Sequence, residues 1–284
     1  MVQEITVVGA GIMGSGIAYT SALNGFSVVL QDIAEASLLK AKNEIEKLAL
    51  HSEEKGFITT QQKESALKRI TYESDLEIAV QQAELVIEAV IENMDVKIEL
   101  FQKLDHLCHP DAILATNTSS LSPTEIGGQT SRPGKVVAMH FFNPVHKMKL
   151  VEIIRGLDTT DDTVAVIKAV TEQLQKESVE VNEFPGFVTS RMNVLIGNEA
   201  MNMLMEGVAS AEDIDKAIKL GLNHPMGPFE MGDLVGLDTR LRTLEYLYKT
   251  LGEKYRPSPL LVKYVKAGRL GKKTGKGVYD YREE

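Results

Sequence analysis

Between Ile5 and Gly14 the chain reads Ile-Thr-Val-Val-Gly-Ala-Gly-Ile-Met-Gly, and this stretch limits the fold more than any other. Ile5, Thr6, Val7 and Val8 are apolar or β-branched and predict a short buried strand. Gly9, Gly11 and Gly14 follow in the G-x-G-x-x-G spacing, and Ser15 to Tyr19 already reads as helix. In that setting Gly9 permits a tight strand-to-helix turn, Gly11 leaves room for a pyrophosphate, and Gly14 lets helix and strand pack closely. The free N–H groups at the helix start favour phosphate. A second apolar run, Ser27 to Gln31, ends at Asp32, near the ~20-residue spacing at which a carboxylate meets the adenosine ribose. Asp32 as a mere cap of the next helix is the alternative. With the glycines in place, ribose binding is the stronger reading, and it favours NAD over NADP.

Strand and helix patterns then alternate. Apolar runs at Arg69–Tyr72, Glu84–Ala89, Ala112–Thr116, Lys135–Met139, Leu150–Ile154 and Ser178–Val181 predict further strands. Helical spacing covers residues 94–107 and 161–176. The stretch between the second and third strands is too long for a plain crossover, which needs a dozen or so residues. Residues 35–68 therefore predict an inserted helical hairpin. The alternation implies an α/β, Rossmann-type doubly wound sheet, with ligands beyond the carboxyl ends of the strands. After Phe184-Pro185-Gly186 the pattern becomes helical at 187–205, 211–220, 238–251 and 260–265. Pro225, Gly227, Pro228 and Gly232 read as a rigid turn. The expected division is residues 1–183 and an all-helical domain of residues 184–284.

Polar clusters fall at the predicted ligand edge. His140 follows a strand and can exchange a proton near neutral pH, as oxidation of an alcohol to a ketone requires. The alternative is a loop histidine satisfied by backbone. Glu152 sits in an otherwise apolar strand, where a buried carboxylate needs a partner. It either orients an imidazole or points to solvent from an edge. Ser119, with Asn117 and Asn143, can hold an oxygen on which charge develops, or serves only turn chemistry. No G-x-S-x-G elbow accompanies Ser119, and the spacing of His140, His146 and Glu152 matches no usual metal-ligand pattern.

The formal net charge of −9 argues against non-specific nucleic-acid or membrane-surface binding. Cys108 is the single cysteine; an internal disulfide is excluded, and an inert core thiol in a reducing compartment is expected. The first strand begins so near Met1 that no signal peptide is expected, and no apolar run reaches membrane-spanning length. These features point to the cytoplasm.

Several stretches together resemble the 3-hydroxyacyl-CoA dehydrogenase family, closest to its bacterial 3-hydroxybutyryl-CoA members, over nearly the whole chain. They are Gly9–Gly14, Ile87–Asn93, Thr116–Leu121, Met139–Val145, Pro185–Phe187, His224–Phe229 and Leu270–Gly277. The resemblance implies NAD-dependent, reversible oxidation of a short (S)-3-hydroxyacyl-CoA, in fatty acid or butanoate metabolism. His140 would be the base, Glu152 its orienting acid, and Ser119 a contact to the substrate oxygen. Gly9, Gly11, Ile12, Met13, Gly14, Asp32, Ala89, Glu92, Lys97, Asn117, Ser119 and Asn143 would surround NAD. Asn143 and Lys55 would contact the acyl-CoA. The helical domain would form a homodimer and close over the substrate. Ser190 stands where the family commonly has an asparagine that touches the substrate, and is carried as a site residue on that basis. A dehydrogenase of a free hydroxy or sugar acid, and an NAD-binding protein without turnover, are the alternatives.

Overall fold

The computed structural model describes residues 2–282. The chain divides between Phe184 and Pro185 into two compact units.

The first unit carries eight strands: β1 (Glu4–Val8), β2 (Ser27–Gln31), β3 (Ile70–Glu73), β4 (Leu85–Glu88), β5 (Ile113–Thr116), β6 (Val136–Phe141), β7 (Leu150–Arg155) and β8 (Glu177–Asn182). Its helices are α1 (Ile12–Leu23), α2 (Glu35–Glu54), α3 (Thr60–Lys68), α4 (Leu76–Val80), α5 (Met94–Leu107), α6 (Pro123–Gly127) and α7 (Asp161–Gln173). The strand order is β3-β2-β1-β4-β5-β6-β7-β8. Every neighbouring pair is parallel except β6–β7. The expected doubly wound sheet is therefore present, with one antiparallel step. β1, β4, β5 and β6 are mostly apolar and buried on both faces because helices cover both sides, as in parallel sheets generally. The inserted hairpin is α2 and α3, the latter started by a Thr59–Gln62 capping box.

Three local expectations need correction. His140 lies within β6 rather than after it, because pairing with β7 extends the strand to Phe141. α7 stops at Gln173, and the positive φ of Gln175 turns Lys176 into the core. The short helices α4 and α6 occupy stretches given no helix above; Asp75 and Ser122 accept backbone N–H bonds at their starts.

The second unit is built from α8 (Thr189–Met205), α9 (Ala211–Gly221), α10 (Pro228–Val235), α11 (Leu237–Leu251) and α12 (Pro259–Lys266). Its core is formed by side chains such as Val194, Met201, Phe229, Leu244 and Leu261. The stretch containing Pro228 and Gly232 is the helix α10 and not a turn. Pro228 occupies its first turn, where the missing N–H costs nothing. The tail beyond α12 folds back through the bridges Gly271–Lys276 and Lys276–Asp280.

Candidate active site

The antiparallel step places the central pair. In the β6–β7 register His140 lies directly opposite Glu152, so both side chains emerge on the same face of the sheet. His140 Nδ1 lies 2.8 Å from Glu152 Oε2. His140 is 7% exposed and Glu152 is fully buried. An ionised carboxylate can only accept, so Nδ1–H donates to Glu152, and in the neutral ring this leaves the lone pair on Nε2. The Phe142 ring lies against the imidazole at 4.5 Å between centroids. Asn117 sits at the end of β5, where its Oδ1 accepts the Phe141 N–H at 2.9 Å. The carboxyl ends of β5 and β6 are thereby tied together beside His140.

A second cluster gathers on Glu92, in the loop after β4. Glu92 Oε1 accepts from Thr118 Oγ1 at 2.6 Å, from Ser119 N at 2.9 Å and from Ser119 Oγ at 3.2 Å. Burial by itself raises the Glu92 carboxyl pKa. The Lys97 charge and the bonds from Thr118 and Ser119 outweigh it, and the net shift is downward. Lys97 is fully buried. Its Nζ lies 2.6 Å from Glu88 Oε1 and 3.4 Å from Glu92 Oε2. Glu88 Oε1 also accepts the Val90 N–H, and its other oxygen, Oε2, accepts from Thr116 Oγ1. A continuous polar chain thus runs from the sheet through Glu88, Lys97 and Glu92 to Ser119. Glu88 and Thr118 were missed from sequence. The available signal for Glu88 was the one that marked Glu152, a carboxylate in an otherwise apolar strand.

The glycine loop is built for close approach. Gly9 has φ +105°, and a Cβ there would lie 2.7 Å from the Ala89 carbonyl oxygen. A Cβ on Gly14 would overlap the Gly9 carbonyl oxygen. A Cβ on Gly11 would meet nothing, so open space faces the loop there. Ile12 and Met13 begin α1, where their N–H groups have no intrahelical partner. Asp32 Oδ2 accepts the Ala10 N–H at 2.9 Å and Oδ1 the Ala34 N–H at 3.0 Å, which aims the carboxylate along the loop. The cap residue of α2 is Ala34 and not Asp32. Room before the glycines, an oriented carboxylate and exposed helix-start amides fit a dinucleotide.

A cleft of about 460 Å³ opens between Ile12 and Ser15 of α1, Glu44 and Leu48 of α2, and the turn Asn143–His146. Burial, and then the charges of Lys147 and Lys176, hold the His146 pKa below the usual imidazole value. Lys55 is exposed at the far end of α2, about two turns beyond Leu48. Ser190 belongs to the second unit, in the first turn of α8. Cys108 is buried at the end of α5, and burial pushes its thiol up to about 11. Among the described residues no group of three or more His, Cys, Asp or Glu side chains is placed to hold a metal ion.

A phosphate-binding glycine loop and a paired imidazole along the same edge of a doubly wound sheet define a nicotinamide-dependent oxidoreductase. Comparison with known proteins narrows the class. Residues 4–184 match the 3-hydroxyacyl-CoA dehydrogenase NAD binding domain, and residues 186–281 match the 3-hydroxyacyl-CoA dehydrogenase C-terminal domain. The chain belongs to the 3-hydroxyacyl-CoA dehydrogenase family, and its cofactor is NAD. A protein of Clostridioides difficile named 3-hydroxybutyryl-CoA dehydrogenase is 43% identical over 99% of this chain and 100% of its own length. The human mitochondrial hydroxyacyl-coenzyme A dehydrogenase is 40% identical over 99% of this chain and 92% of its own. Among solved structures, (S)-3-hydroxybutyryl-CoA dehydrogenase from Ralstonia eutropha superposes with a TM-score of 0.95 at 42% identity, covering 99% of each chain.

Proposed function

We propose that this enzyme interconverts a short (S)-3-hydroxyacyl-CoA and its 3-keto product, with 3-hydroxybutyryl-CoA and acetoacetyl-CoA as the reference pair. The observation that carries the reading is the 2.8 Å His140–Glu152 pair on the cofactor edge of the sheet. The names of the relatives at 40–43% identity support the substrate class.

NAD, when bound, supplies the acceptor for the C3 hydride. His140 Nε2 removes the 3-hydroxyl proton as the ketone forms. Glu152 holds Nδ1 protonated and stabilises the imidazolium. Ser119 donates to the substrate oxygen, and Glu92 keeps that side chain in place until substrate arrives. Lys97 works through Glu92, since its ammonium is already spent on two carboxylates. Gly9, Gly11, Ile12, Met13, Gly14, Asp32, Ala89, Asn117 and Asn143 shape the cofactor groove. The cleft beside Asn143 takes the pantetheine arm, with Lys55 reaching the coenzyme A phosphates, and Ser190 contacts substrate in place of an amide.

The division of labour is a Rossmann-type domain of residues 1–183 and a helical domain of residues 184–284 that pairs with a second copy. The homodimer reading is supported by apolar side chains exposed on the second unit, including Met192, Val208, Leu220 and Leu222. A cytoplasmic location fits the single buried thiol. No helix of the described residues is long and apolar enough to cross a membrane.

The test is NADH consumption with acetoacetyl-CoA, longer 3-ketoacyl-CoA thioesters and free acetoacetate. Turnover on the thioesters, fastest for the short one, supports the reading. Equal turnover on the free acid, or none on any thioester, refutes it.

A further inference from the structure

Lys176 lies outside the proposed machinery, yet it grips the turn that follows His140. It is 9% exposed. Its Nζ donates to the Val145 carbonyl oxygen at 2.6 Å and to the Met148 carbonyl oxygen at 2.6 Å. Among the described residues no carboxylate pairs with it, and burial lowers its pKa. Holding an unpaired ammonium in the interior is costly, so the two carbonyls are its compensation. They are also groups that a tight turn would otherwise leave unsatisfied.

The same turn is fixed from two further directions. Inside it, the Lys147 and Met148 N–H groups both reach the Pro144 carbonyl oxygen at 3.0 Å. Across it, the Val145 side chain is 2% exposed and fills the space opposite Gly16 of α1. A Cβ on Gly16 would lie 2.9 Å from Val145 Cγ2. The turn Asn143–Met148 is thus held between α1 and Lys176, and Asn143 and His146 form one wall of the cleft.

We infer that Lys176 is a positioning residue for cofactor binding: by clamping Val145 and Met148 it sets the turn that presents Asn143. This rests on the reading of Asn143 as a cofactor contact. Charge-assisted bonds to carbonyls are stronger than neutral ones. Losing two of them frees the turn while β6 and β7 keep His140 and Glu152 paired. The effect should therefore fall on binding more than on the chemical step.

The experiment is NADH titration by fluorescence, with steady-state kinetics and amide exchange, on Lys176→Met, Lys176→Arg, Gly16→Ala and Asn143→Ala. For Lys176→Met the NADH Kd should rise about tenfold, with kcat changed less than about threefold and the Lys147 and Met148 amides deprotected. Lys176→Arg should recover most of the affinity, which a bare loss of stability would not show. An unchanged Kd in folded Lys176→Met overturns the inference. If that variant does not fold, Gly16→Ala decides: weakened NADH binding supports the clamp, and parent-like binding overturns it. Parent-like NADH binding by Asn143→Ala together with weak binding by Lys176→Met removes Asn143 but keeps the clamp. The reverse pattern removes the clamp alone.

Discussion

The two units bury carboxylates in opposite ways. In the first, each buried acid near the ligand edge has a base: Glu152 has His140, and Glu88 has Lys97. In the second, Asp215 and Asp233 are 2% and 0% exposed and answer to no ion pair among the described residues. Asp233 accepts from the Val278 and Tyr279 N–H groups and from Tyr281 Oη. Asp215 accepts from the Phe229 and Glu230 N–H groups and from Tyr279 Oη. These acids tie the chain's tail to α9 and α10, and burial, then the facing carboxylates, push the Tyr279 and Tyr281 hydroxyls upward. A buried acid is therefore no site by itself. Paired with a proton carrier it sets up chemistry; paired with backbone N–H groups it holds architecture.

Substitutions should separate the two uses. His140→Ala should lower kcat by about 10³-fold with the fold intact, since the proton acceptor is lost; stopped assays beside circular dichroism check this. Glu152→Gln should cost about 10²-fold in kcat, because the imidazole loses its orienting anion. If Glu152→Gln lowered only the melting temperature, the contrast between the units would fail. Asp233→Ala should do what Glu152→Gln does not. It leaves two N–H groups and a hydroxyl without an acceptor, so stability should drop by about 3 kcal/mol or more, read by urea unfolding.

Acid should loosen the two regions in opposite order. The Glu92 pKa is lowered in the fold, so its contribution exists above the ordinary carboxylate range and is lost as pH falls through its depressed value. The Asp233 pKa is raised, chiefly by burial. Its contribution is complete below the ordinary range and is lost as pH rises through its raised value. On acidification, protection of the Ser119 amide, corrected for intrinsic exchange, should fall relative to Val278 and Tyr279. The reverse order would break the comparison. The smallest effect concerns Cys108: at about pH 8 a thiol reagent should leave it unmodified in the native protein and label it after unfolding.

Much of the sheet was legible because β-branched runs bounded by turn residues mark parallel strands to within a residue or two. The glycine loop and Asp32 were legible for a related reason, since their spacing is local. The His140–Glu152 pairing was legible only through the family resemblance, because nothing in residues 141–150 tells whether the next strand returns antiparallel or in which register. Lys97 was placed around NAD by the resemblance alone, and nothing local in the sequence marks its burial or its ion pair. Only the fold brings Glu88 beneath it. α10 was hidden because Pro228 and Gly232 are turn residues everywhere except at the start and the close-packed face of a helix. Lys176 escaped notice because the positive φ of Gln175 that turns it inward leaves no mark on helical periodicity.

The central claim is that Glu152 keeps the proton on Nδ1 of His140, so that Nε2 is the nitrogen that takes the substrate's. Nitrogen NMR of the histidine-labelled enzyme with NAD, under mildly alkaline conditions, reads this directly. A protonated Nδ1 and a pyridine-like Nε2 for His140, with that preference lost in Glu152→Gln, is the predicted result. A protonated Nε2 in the parent enzyme, or the same tautomer with and without the Glu152 carboxylate, would contradict it.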